Sequence, residues 1–131
     1  MRKSLQNPLL ESEGFVEAPA AGLGGLWHSY RSEGRECTGW FHFLSPERAL
    51  WSISIHDFTM RRDFIMDVEP PSYLTVTWFK SIAGEEFSPY RRLRSNSVWG
   101  QSIGSGPWKG VAHGGIPVQS VAIEITPEFS A

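Results

Sequence analysis

A single cysteine, Cys37, excludes any disulfide within the chain and suits a reducing compartment. No apolar run approaches the roughly 20 residues that a helix needs to cross a bilayer. The opening "MRKSLQNPLLESEGF" interrupts its hydrophobic content with Gln6, Asn7, Pro8 and two glutamates, so no secretory signal peptide is visible. These absences point to a cytoplasmic protein away from the membrane. A surplus of positive charge is missing too. The 12 basic and 14 acidic side chains leave a net charge of −2, whereas domains that hold phosphate backbones usually carry a basic excess. Specific DNA binding by this chain alone is not expected. Its densest basic run, Arg91, Arg92 and Arg94 in "SPYRRLRSNS", follows Glu85 and Glu86 and reads as the solvated flank of a hairpin.

Familiar catalytic motifs are missing or lack the context that their chemistry needs. Small β-barrels that hold iron, manganese or zinc use two closely spaced histidines, a nearby carboxylate and a later histidine. Here His28, His42 and His56 lie far apart, and Glu47 and Asp57 miss the expected offset. No metal and no other cofactor is expected. The run Gly100-Gln101-Ser102-Ile103-Gly104 has the Gly-x-Ser-x-Gly spacing, but no helix pattern follows it as a nucleophile elbow requires; Cys37 has no identifiable base partner and reads as inert. In "GQSIGSGPWKGVAHGG" the glycines Gly104, Gly106 and Gly110 miss the dinucleotide spacing, and Lys109 lacks the Ser or Thr of a nucleotide loop. Their tolerance of positive φ is better used in hairpins.

What is present is strand. At 131 residues the chain suits one domain. Its 13 glycines and nine prolines punctuate short aromatic and β-branched runs. Strands are predicted at 26–30, 39–44, 50–58, 64–68, 74–80, 97–102, 108–112 and 118–125, which suits an all-β sandwich or barrel with little helix. Residues 1–25, with "APAAGLGG", read as an arm or loose lead-in to a domain over 26–131. In "WSISIHDF" Trp51, Ile53 and Ile55 alternate with Ser52, Ser54 and His56; in "LTVTWF" Leu74, Val76 and Trp78 alternate with Thr75, Thr77 and Phe79; in "VAIEI" Val121, Ile123 and Ile125 alternate with Ala122 and Glu124. The apolar sets are expected to face the core. His56 and Asp57, adjacent on a strand, leave opposite faces and form no catalytic dyad. No turnover is expected.

Six tryptophans stand out: Trp27, Trp40, Trp51, Trp78, Trp99 and Trp108. They either fill the interior or line a cavity for a small organic ligand, since an indole face suits a sugar or a ring. The segments "HDFTMRRDF", "PPSYLTVTWFKSIAGEEFSPYRRL" and "WKGVAHGGIPVQSVAIEITPEFS" resemble the amino-terminal effector domain of AraC-type transcription regulators, over about residues 50–129. That resemblance implies a cupin-like antiparallel β-barrel or jelly roll that senses a small-molecule effector and pairs as a homodimer. DNA contact would then belong to a helix-turn-helix domain beyond Ala131. Within such a barrel the expected ligand-binding residues are Trp40, His42, Trp51, Asp57 and Trp78. Two other classes remain open: a cupin-like metal-dependent isomerase or dioxygenase, and a filled barrel whose only role is protein pairing.

Overall fold

The computed structural model of the chain describes residues 14–20, 22–44, 50–68, 73–87, 90–103 and 108–125. Among them there is no helix. The strands are β1 (Val16–Glu17), β2 (His28–Glu33), β3 (Cys37–Leu44), β4 (Trp51–Met60), β5 (Phe64–Val68), β6 (Tyr73–Ser81), β7 (Gly84–Phe87), β8 (Arg91–Leu93), β9 (Ser97–Ile103), β10 (Trp108–Ala112) and β11 (Val118–Ile125). They form two antiparallel sheets: a larger one in the order β1-β2-β3-β4-β11-β6-β9 and a smaller one in the order β5-β10-β7-β8. The all-β expectation holds. The recorded strand orders are those of two open sheets and not of a closed barrel.

Every strand predicted from the sequence is present. The additional ones are β1, β7 and β8, which are short. β1 falls inside the stretch read as a loose lead-in. Val16 and Glu17 pair with Arg31 and Tyr30, and Phe15 just before them is buried, its ring edge-on to Phe58 at 5.6 Å. Part of the lead-in is therefore built into the larger sheet. The turn from β8 to β9 places Asn96 at φ 56°, a left-handed conformation that asparagine accepts more readily than most residues. Gly39, in β3, has φ +140°, and a Cβ there would lie 2.3 Å from the Asp57 carbonyl oxygen. Only glycine lets β3 approach β4 this closely.

One end of the interior is aromatic. Tyr30 stacks on Phe43 at 6.0 Å, Phe43 meets Phe41 at 6.0 Å, and Phe15, Phe58, Met60, Leu93 and Val118 join the same buried cluster. Leu93 comes from the smaller sheet, so the two sheets share this core.

The direction of the three central strands is the reverse of the expectation. The apolar set was expected inside, yet Leu74, Val76, Trp78 and Ile123 are 40 to 46% exposed. Trp51, Ile53, Ile55, Val121 and Ile125 lie on that same outward face, in register with them across β4, β11 and β6. The buried residues are the polar partners: Ser54, Thr75, Ser120, Ala122 and Glu124. The grouping of residues by face was correct, and the side assigned to each group was not.

Candidate functional site between the sheets

Register alone sets out the inward grid. Glu124 of β11 lies between Ser52 of β4 and Thr75 of β6; Ala122 lies between Ser54 and Thr77; Ser120 lies between His56 and Phe79. One strand further on, Trp99 of β9 is level with Thr77. Away from the aromatic end, then, the middle of the larger sheet presents short hydroxyl-bearing side chains and one carboxylate to the interior.

Some of these groups are satisfied within the grid. Ser52 Oγ donates to Glu124 Oε2 at 3.0 Å, and His56 Nδ1 is hydrogen-bonded to Ser120 Oγ at 2.8 Å. Others are not. Ser54 Oγ and Thr75 Oγ1 are buried with no hydrogen-bond partner, a condition that costs each hydroxyl on the order of 1–3 kcal/mol. Glu124 is 7% exposed. Burial pushes its carboxyl above the usual range, against the smaller opposing effect of the Ser52 hydrogen bond. The His56 ring lies against Phe41, and burial lowers its pKa to about 4, so at neutral pH it is uncharged.

The smaller sheet adds an ion pair. Arg91 of β8 donates through Nε to Glu86 Oε2 of β7 at 3.1 Å, and a second guanidinium nitrogen bonds the same oxygen. The Arg91 guanidinium also sits over the Trp99 ring, 4.8 Å from its centroid, a cation–π contact that ties this sheet to β9. Arg91, expected to be a solvated flank, is thus half-buried and doubly held, whereas Arg92 and Arg94 are exposed as expected.

The five ligand residues expected from the sequence are not at this site. Trp40, His42, Trp51, Asp57 and Trp78 all stand on the outward face, so the between-sheet location expected for them does not hold. Trp40 and His42 do come together, with stacked rings 5.3 Å apart, and Arg31 lies over the Trp40 indole at 5.3 Å. His42 Nδ1 is hydrogen-bonded to Ser29 Oγ at 2.7 Å. Burial lowers the His42 pKa, and the Asp57 charge opposes that shift. Asp57 is exposed and accepts from Gln119 Nε2 at 3.2 Å. Trp51 and Trp78 stand apart from this pair and from each other, on β4 and β6. His56 and Asp57 do leave opposite faces, with the histidine on the inside.

A signal for the inward grid was present in the sequence. Solvent-facing strand positions normally carry long charged side chains, yet the faces Ser52, Ser54, His56 and Thr75, Thr77, Phe79 carry no charged side chain. Short uncharged polar residues at several consecutive inward positions mark a polar interior more than a wetted surface. A separate open hollow of about 460 Å³ lies beside β2, under Pro19, Gly24 and Trp27. It brings together no buried unpaired polar group. Among the described residues no three His, Cys, Asp or Glu side chains gather as a metal site, and no helix is long and apolar enough to cross a membrane. No protein-family model matches the chain, and a search of curated proteins also gave no match.

Proposed function

We propose that this chain is the effector-sensing and pairing domain of an AraC-type transcription regulator, and that it holds a small organic molecule between its two sheets without chemical turnover. The reading is supported by the resemblance of residues 50–129 and by the all-β, two-sheet architecture. One observation carries it: Ser54 and Thr75 are buried and unpaired on either side of β11, with the buried carboxyl of Glu124 level with Thr75 and one inward position along from Ser54's neighbour Ala122. A sheet whose interior only had to be filled would carry apolar side chains there. Polar groups converging in a protected interior are what a ligand site requires.

Pairing belongs to the outward face. Leu74, Val76, Trp78, Val98, Val121 and Ile123 form an uncharged apolar surface over β6, β9 and β11, and contiguous apolar surface of this kind marks an association site. In this reading the domain works in the cytoplasm, and DNA contact falls to a helix-turn-helix domain outside the chain.

A thermal-shift screen of sugars, amines and aromatic acids tests the sensing role. A ligand that binds only the folded state at 100 times its Kd adds about 2.7 kcal/mol of stability. The reading fails if no compound raises Tm and Ser54→Ala with Thr75→Val makes the domain more stable, because the hydroxyls then serve nothing.

A further inference from the structure

The observations go further than a generic effector. Resting on the reading above, we infer that the molecule held between the sheets is a hydroxylated organic amine, of the amino-sugar or amino-alcohol class, with its ammonium group against Glu124. The first ground is charge. The described titratable groups around this part of the interior are Glu124, Glu86, Arg91 and His56, with His28, Tyr30 and Cys37 at the aromatic end. Arg91 and Glu86 neutralise each other, and His56 is held neutral by its burial against Phe41. Glu124 accepts a hydrogen bond from the Ser52 hydroxyl, its one hydrogen-bond partner among the described residues. Among the described residues no cation is paired with the Glu124 carboxyl in this protected site, where an opposite charge from a ligand counts far more than it does in water.

The second ground is spacing. Ser54 and Thr75 sit on β4 and β6, on either side of β11. Thr75 is level with Glu124 but Ser54 is level with Ala122, two residues further along, so with strands about 4.8 Å apart and a rise of about 3.4 Å per residue the two positions lie on a diagonal of about 12 Å. A single ammonium nitrogen cannot reach both. A molecule that places a cation at Glu124, one hydroxyl group toward Thr75 beside it and another diagonally across β11 toward Ser54 satisfies all three positions. An acidic ligand would meet Glu124 with like charge, and a neutral sugar would leave that charge uncompensated.

The test compares matched pairs on the full chain by calorimetry and thermal shift: glucosamine against glucose, and galactosamine against galactose. Each pair differs by an amine in place of one hydroxyl. At least one amine is expected to bind ten or more times as tightly as its neutral mate. Glu124→Gln removes that preference, and Thr75→Val weakens the amine severalfold. Equal or tighter binding of the neutral sugars overturns the inference, as does a preference that survives in Glu124→Gln. Failure of both amines overturns it too. Binding of a neutral or acidic metabolite in the broader screen would still leave the sensing role standing. Should Glu124→Gln not fold, the wild-type comparison of amine with sugar decides the matter by itself.

Discussion

The imidazole of His56 lies against the ring of Phe41, with centroids 4.9 Å apart and planes 21° from parallel, while its Nδ1 is tied to Ser120. Burial of the ring favours its neutral form. With a folded pKa of about 4 against 6.5 when unfolded, the folded state binds fewer protons than the unfolded state within this window. Stability is therefore present above pH 6.5 and is lost as pH falls through 4. The full effect is on the order of 3 kcal/mol. Urea denaturation at steps from pH 8 to pH 4 measures it, and His56→Gln should flatten this part of the profile. An unchanged slope in the variant would assign the acid lability to other groups.

Glu124 acts with the opposite sign. Its folded pKa is raised by burial, so the folded state holds the proton more tightly than the unfolded one. Its favourable contribution is complete below the unfolded value of 4.5 and fades as pH rises through the raised folded value. Glu124→Gln keeps an acceptor for Ser52 and removes the buried charge. The variant should melt higher than wild type at neutral pH without ligand, and the difference should vanish in acid. In the wild type this slope offsets part of that due to His56, so the two substitutions must be measured separately.

The strands were legible because their signals are local. Glycine and proline interrupt runs such as "LTVTWF" and "VAIEI", and period-two alternation sorts the residues between them into two faces. β7 and β8 escaped notice because "GEEF" and "RRL" are short and charged. They pair through contacts to β10 and to each other, and no β propensity of their own marks them. Which face is buried is not a local property at all. Alternation in Ser52 to Phe58 is the same whether Ser54 or Ile55 points inward, and the side is set by where the smaller sheet packs. The rule of apolar inside failed over residues 52–56 of β4, 75–77 of β6 and 120–124 of β11, where most inward side chains are polar. The tryptophans followed the rule's error, and the candidate ligand residues went to the wrong face with them.

That inversion has a direct stability test. Phe43 is fully buried among Phe41, Tyr30 and His28, and Phe43→Ala should cost about 3–5 kcal/mol. Val76 is 40% exposed, and Val76→Ala should cost less than about 1 kcal/mol in the monomer. Comparable losses at the two positions, measured by urea denaturation at low protein concentration, would restore the apolar-inside arrangement and remove the polar interior.

Ile123 occupies the middle of the outward apolar face, level with Ile53 on β4 and Val76 on β6. Pairing of two copies through this face is isologous, so the surface must complement itself. An uncharged apolar patch meets that condition, and a patch of one sign does not. A charge introduced at its centre meets its own copy across the two-fold axis. Sedimentation equilibrium should therefore show wild type as a dimer and both Ile123→Lys and Ile123→Glu as monomers, with Kd raised at least tenfold. Their circular dichroism should remain that of the wild type, because Ile123 is 44% exposed and lies outside the core. Mixing the two variants brings opposite charges together and should recover part of the association. A wild-type chain that stays monomeric at about 100 μM, far above the Kd of a typical specific interface, would assign this face to a different partner.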